Sequence, residues 1–200
     1  MKKHVCLFLA VAFWLAALLV LPIHGEAEIY DNVIRLHVLA ESDSAEDQAL
    51  KLKVRDAVIA QGEELLLHAE SREEAEEMLR RSLDVIRAAA QNAVYREGSN
   101  AVVEVVLDKE SYPTRTYEAV ALPAGEYLSL QVRIGSAEGQ NWWCVLFPPL
   151  CLSAASADNE ATCLSCGLTE EQYHLIADTD RTKYKLRFKI LEVAQDLFAD

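Results

Sequence analysis

The side chains able to do chemistry are few, and most stand apart. Four cysteines, Cys144, Cys151, Cys163 and Cys166, fall in the last third of the chain, and a fifth, Cys6, lies near its start. Cys144 follows Trp143 and has histidines elsewhere in the chain, so a thiol hydrolase would take Cys144 as nucleophile with His37 or His174 as base. A reactive thiol, however, needs a helix amino terminus or a basic neighbour to lower its pKa, and Cys144 sits in an apolar stretch, residues 141–147 (NWWCVLF), that reads as a strand. A disulfide or plain packing is the preferred reading. Four cysteines allow three pairings, of which Cys144 with Cys151 and Cys163 with Cys166 are the local ones. A four-thiolate zinc site is the rival, because Cys163 and Cys166 have the two-residue spacing of a zinc knuckle. The other half has a wider gap holding two prolines, and free thiols also stay open.

Asp43, Glu46, Asp47 and Asp56 are the densest carboxylates beside a strand end, where two of them could do acid and base work. The plainer account is that acids in the first turn of a helix satisfy free amides and the positive end of the dipole. His37, His68 and His174 lack any spacing that makes a metal site, and each reads as structural. No glycine-rich phosphate loop, Gly-x-Ser-x-Gly elbow or basic patch is present. Neither a metal nor a cofactor is expected, and no residue is assigned a catalytic role.

The amino terminus points to export. Lys2 and Lys3 precede an uncharged, apolar run over residues 5–23, and Gly25 and Ala27 fit the small-x-small rule, which places cleavage after Ala27. The run is also long enough for an uncleaved membrane anchor. Either way the two lysines hold the amino terminus inside and the remainder faces outward, with membrane contact only through this segment. Loss of Lys2, Lys3 and Glu26 turns 19 basic and 32 acidic residues into 17 and 31, a formal charge of −14. Such a surface repels phosphate backbones, so nucleic acid is excluded as a partner. Residues 28–200 have the size of one domain.

The elements that must position these groups follow from periodicity. Residues 33–40 (VIRLHVLA) read as a strand with Arg35 and His37 on its polar side, ending at the helix-capping cluster Ser42, Asp43 and Ser44. Leu50, Val54, Ala57, Val58 and Leu65 form the stripe of an amphipathic helix. Ser71 with Glu74 is a capping box for a second helix, striped by Ala75, Met78, Leu79, Leu83, Ile86, Ala90 and Val94 and ended by Gly98, Ser99 and Asn100. Residues 101–107, 116–122, 127–134 and 142–147 read as strands, the third alternating cleanly with one wet side. Residues 152–180 read as irregular, and a last helix is expected over about residues 182–198. The order implies an α+β domain, a mixed or antiparallel sheet covered by helices on one side.

One run carries apolar matter that looks surplus to a core: Trp142, Trp143, Phe147, Pro148, Pro149 and Leu150. Tryptophans dominate interface hot spots because they bury much area at little entropic cost. Adjacent residues of a strand point to opposite faces, so at least one of Trp142 and Trp143 needs cover from a helix, a loop or a partner.

Residues 34–58 (IRLHVLAESDSAEDQALKLKVRDAV) and 122–151 (LPAGEYLSLQVRIGSAEGQNWWCVLFPPLC) resemble the stage II sporulation protein R family of endospore-forming bacteria, and residues 183–195 (KYKLRFKILEVAQ) are similar to its carboxy-terminal helix. The chain departs from the family pattern at Glu41, where that pattern has Asn, and near Ser136 and Glu138, where it has glycines. The resemblance implies a protein made in the forespore and exported into the space between the two membranes. There it would trigger a membrane-embedded aspartic protease of the mother cell, which processes a sigma factor precursor. On this reading the chain is a ligand whose partner-binding residues are drawn from the aromatic run and from His37, Glu41, Asp43 and Arg55.

Overall fold

The structure, a computed structural model, describes residues 25–117, 120–151 and 159–177. The expected export signal over its first 24 residues, and the expected helix over 182–198, lie outside them. The chain runs α1 (Gly25–Asn32), β1 (Ile34–Leu39), α2 (Ala45–Leu66), α3 (Arg72–Arg96), β2 (Val103–Tyr112), β3 (Arg115–Thr116), β4 (Ala121–Leu122), β5 (Gly125–Ile134), β6 (Asn141–Phe147), α4 (Asn159–Ser165) and α5 (Glu170–Ala177). It is an α+β domain built on a four-stranded mixed sheet in the order β2-β5-β1-β6, with β3 and β4 paired apart from it. β1 runs parallel to β5 and antiparallel to β6, and β2 is antiparallel to β5.

The helix starts follow from their caps. Ser44 Oγ accepts the Asp47 amide at 3.1 Å at the head of α2, and Ser71 Oγ accepts the Glu74 amide at 3.2 Å at the head of α3, each satisfying an amide with no partner inside its helix. The Glu74 carboxylate reaches back to the Glu70 amide rather than to that of Ser71, one residue further than a capping box places it. α3 ends where Gly98 turns to φ +77°, and Ser99 N–H and Gly98 N–H donate to Val94 and Tyr95 carbonyls. This is a Schellman end, and the left-handed residue it requires is glycine.

One face of the sheet, with Ile34, Leu36, Val38, Leu128, Leu130, Val132 and Ile134, packs on Val54, Val58, Leu79 and Ile86 of α2 and α3. Each such side chain removed from water contributes about 1.5–3 kcal/mol. The other face corrects the sequence reading: it is also covered. Ile29 of α1, Leu122 of β4, Cys163 of α4 and Ile176 of α5 form a second core with Tyr112, Tyr127 and Val145 of the sheet. Hence the middle of β5 has no wet side, since Ser129 is fully buried and Gln131 nearly so, and only Arg133 near its end meets water on that face. The expected strand over 116–122 is instead two short strands, and part of the expected irregular stretch is helical, as α4 and α5. Short polar elements of this kind lack a long hydrophobic period, and packing on the second core decides them.

α1 crosses the expected cleavage point after Ala27. The contacts of its second half, buried Ile29 and the Tyr30 hydroxyl donating to Ala124 O at 3.0 Å, lie beyond that point. Among the described residues no helix is long and apolar enough to cross a membrane.

Candidate functional site

Strand alternation sends Arg35 and His37 of β1 to the second face, as the sequence predicts, but that face is closed and both are buried, Arg35 completely. The Arg35 guanidinium donates from Nε to Cys144 O at 3.2 Å and from Nη2 to the Tyr117 hydroxyl at 2.6 Å. Its carbon lies 4.2 Å from the Tyr112 ring centroid and 5.1 Å from that of Tyr127. Beside it, His37 Nδ1 meets Glu110 Oε1 at 2.8 Å. Ser129 Oγ donates to Glu110 Oε2 at 2.9 Å, and the Tyr112 hydroxyl lies 2.6 Å from Ser129 Oγ. Each hydroxyl has one proton, so the chain runs from Tyr112 to Ser129 to Glu110, with His37 as the second donor to the carboxylate.

Electrostatics agree with that order. Burial alone would raise Glu110, yet the hydrogen bond and charge of His37, then Ser129 and Tyr112, outweigh it and hold the carboxyl below its ordinary range. Burial drives the Tyr112 phenol far above its usual value, so its proton stays. Burial also raises Tyr117, with Arg35 and Arg115 pulling the other way. Glu110 therefore bridges histidine and serine. A serine nucleophile would need the histidine in the middle, so this is not a hydrolytic triad.

The aromatic run splits. Phe147, Pro148 and Leu150 are buried, which removes them from any exposed patch. Trp142 and Trp143 are each half-buried, neither wholly core nor wholly exposed. Trp142 lies on the helix-covered face with the Arg55 guanidinium 4.8 Å from its ring, and Trp143 lies on the second face with Arg115 at 4.0 Å and His37 at 5.4 Å. The head of β6 also meets the loop after β1. Asp43 Oδ1 accepts the Gln140 amide at 2.7 Å, Lys51 Nζ donates to Gln140 O at 2.9 Å, and the Glu41 carbonyl accepts Ser136 Oγ at 2.9 Å. Thus Trp142, Trp143, His37, Glu41, Asp43 and Arg55 gather around one end of β6, while Pro149 lies at the other, lining a cleft of about 660 Å³ with His68 and Cys166. The carboxylates singled out for acid-base work do not converge: Asp43 and Asp47 tie the loop and helix start, Asp56 pairs with Arg55 at the surface, and Glu46 stands in the first turn of α2.

Cys144 and Cys151 are joined in a disulfide, with Cα atoms 5.5 Å apart. Cys163 and Cys166 are free thiols. They sit at the end of α4, Cys163 packed inside the second core and Cys166 against the first. Burial pushes Cys163 up to about 12. Among the described residues no three of His, Cys, Asp and Glu gather as a metal site. Cys144, its sulfur bonded to Cys151, faces α2 and α3 while His37 faces the second core, so the sheet itself separates that sulfur from that imidazole. His68 and His174 are exposed, on the α2–α3 connection and on α5.

Sequence reasoning missed Glu110, Ser129, Tyr112, Tyr117 and Arg115. In β5 the signal was present, since Ser129 and Gln131 alternate with apolar residues, but it reads identically to a solvated face; Glu110 and Tyr112 stand in the polar end of β2, where no alternation marks them, and Arg115 and Tyr117 lie outside both strands.

The model of the stage II sporulation protein R family matches residues 30–157. The chain belongs to that family. It is 45% identical over 123 residues to "Stage II sporulation protein R" of Bacillus subtilis (strain 168), a match covering 62% of this chain and 55% of that relative. The chain thus spans about half the length of the curated relative it matches. No solved structure matches it. Membership gives the chain a role in sporulation, and the family's name carries no catalytic activity. The sheet, both tryptophans and the Arg35–His37–Glu110 group all fall inside the matched range.

Proposed function

We propose that this family member is an exported signal between the two compartments of a sporulating cell, activating a membrane-embedded aspartic protease of the mother cell that processes a sigma factor precursor. The observation that carries the reading is the end of β6. Trp142 and Trp143, half-exposed on an edge strand and each stacked by an arginine, stand beside Glu41 and Asp43. An edge strand with aromatic anchors and a polar rim is the anatomy of a protein-binding surface. The apolar run over residues 5–23 supports export from the forespore into the intermembrane space, by cleaved signal or by anchor. Catalysis then belongs to the partner, and among the described residues the carboxylate–histidine pair, Glu110 with His37, is not arranged to activate the Ser129 hydroxyl.

The test is co-expression of the protease and the sigma precursor with and without this chain, precursor cleavage being the readout. Trp142→Ala and Trp143→Ala should both lower cleavage by more than their loss of folded protein accounts for, since truncated hot spots cost about 2 kcal/mol or more of binding. Cleavage independent of the chain, or falling only in step with its stability, would refute the reading.

A further inference from the structure

The cleft beside Pro149 joins an apolar lining to an acidic rim. It spans about 660 Å³ between the end of α2, the α2–α3 connection and α4, within the range that proteins use to hold a ligand. Leu66 and Ala69 stand buried in its wall, whereas Pro149 and Cys166 are half-buried and Leu67 is 73% exposed, the most of any large hydrophobic among the described residues. Glu63 and Glu70 line it as well, and among the described residues neither is in an ion pair. Around them residues 63–74 hold five glutamates against one arginine, Arg72, which already pairs with Glu76. Apolar surface left open inside an acidic rim calls for an occupant that is apolar on one side and basic beside it.

The chain carries such a segment within reach. Residues 181–189 hold five basic residues and no acidic one, in a chain whose formal net charge is −13. Leu186, Ile190, Val193 and Leu197 follow the spacing that predicts an amphipathic helix over residues 182–198, about 25 Å long. Lys183 and Lys189 stand three positions before and after Leu186, on the surface bordering that stripe. The path to the cleft is short. Gly167, just ahead of α5, sits against the rim, since a Cβ there would lie 3.4 Å from the Glu70 carbonyl oxygen. From there α5 runs for 8 residues, about 12 Å, and residues 178–182 can extend over up to about 17 Å, longer than α5 itself. The chain can therefore turn back to the cleft it has just left.

We infer that residues 182–198 dock in this cleft as an amphipathic helix, the stripe from Leu186 to Leu197 against Leu67, Pro149 and Cys166, and the Lys183 and Lys189 ammonium groups at Glu63 and Glu70. This is helix-in-groove recognition within one chain. Tethering favours it, because the short link holds the segment at a high effective concentration over its groove. Pro149 stands at the far end of β6 from Trp142 and Trp143, so a docked helix leaves that surface open. The inference stands independently of the signalling reading.

Alkylation of Cys166 by iodoacetamide in the full-length chain, resolved residue by residue by mass spectrometry, tests it, with buried Cys163 as the internal report of unfolding. Leu186→Glu with Ile190→Glu should speed labelling of Cys166 at least about tenfold while Cys163 stays protected, because the helix loses its apolar grip and the groove opens. A peptide of residues 181–200, added to that variant, should slow Cys166 labelling saturably. Glu63→Lys with Glu70→Lys should speed labelling about threefold or more at low salt, and adding Lys183→Glu with Lys189→Glu should return it toward the wild-type rate. If Leu186→Glu with Ile190→Glu exposes Cys163 as well, this charge exchange decides. The inference is overturned if wild-type Cys166 labels as fast as in that variant with Cys163 protected, if the peptide gives no protection, or if the charge exchange restores nothing. Protection that rises with protein concentration overturns it too, since the helix would then belong to the cleft of a second copy.

Discussion

Replacement of Glu110 by Ala removes the acceptor that orders the buried polar chain on the second face. Ser129 keeps the Tyr112 hydroxyl as a partner, so most of the cost falls on His37, which loses the only hydrogen bond made by its ring. A buried donor left without an acceptor costs roughly 1–3 kcal/mol. The Glu110 side chain is 25% exposed, so water repairs part of the loss, and the lower part of that range, about 1–2 kcal/mol, is expected at neutral pH. For a chain of this size that is a fall of roughly 2–8 °C in melting temperature. The pH dependence gives the argument its sign. Glu110 titrates lower in the folded chain than in the unfolded one, so its contribution is complete above the unfolded value of 4.5 and fades as pH falls through the folded value. The gap between wild type and Glu110→Ala should therefore close progressively below roughly pH 4.5. Thermal unfolding by circular dichroism across that range reads it directly, and a double-mutant cycle with His37→Ala should recover most of the energy as coupling. A gap under about 0.5 kcal/mol at neutral pH, within the range of ordinary surface substitutions, would refute the reasoning, as would a gap that does not narrow in acid.

Four further outcomes follow from the same structure. Ala137 holds φ +55°, a left-handed conformation that costs an L-residue roughly 1–2 kcal/mol, so Ala137→Gly should leave stability unchanged or raise it by up to about 1 kcal/mol in chemical denaturation. Gly139→Ala should destabilise by more than about 1 kcal/mol, because a Cβ there would stand 2.3 Å from the Ser42 carbonyl oxygen, a backbone atom with no freedom to swing aside. The Cys144–Cys151 bond spans a sequence separation of 7; its removal by paired Ser substitution should cost about 2–3 kcal/mol on the chain-entropy account. In the same protein Cys163, buried and with its thiol pushed up to about 12, should resist alkylation at neutral pH until the fold is opened.

Much of the fold was legible because its signals are local. The stripes of α2 and α3, their serine caps and the Gly98 stop depend on spacing within one segment, and the alternation of β5 depends on a period of two. The run around β6 and the loop after β1 were enough to suggest the family before any contact was known. Alternation alone also put Arg35 and His37 on the face opposite Ile34, Leu36 and Val38. What it could not decide was whether that face meets water. A charged residue on one side of a strand looks the same in sequence whether solvent or a second layer lies above it, and here α1, β4, α4 and α5 supply the layer. The pairing of β1 with both β5 and β6, which sets His37 opposite Gln131 and Trp143, joins segments about a hundred residues apart. Only packing of the whole chain fixes such a register. For that reason the burial of Arg35, the Glu110 bridge and the arginine over Trp143 belong to the tertiary structure: each arises when the second layer closes, and the Arg55 contact with Trp142 arises likewise from α2 packing on the first face, which no single segment encodes.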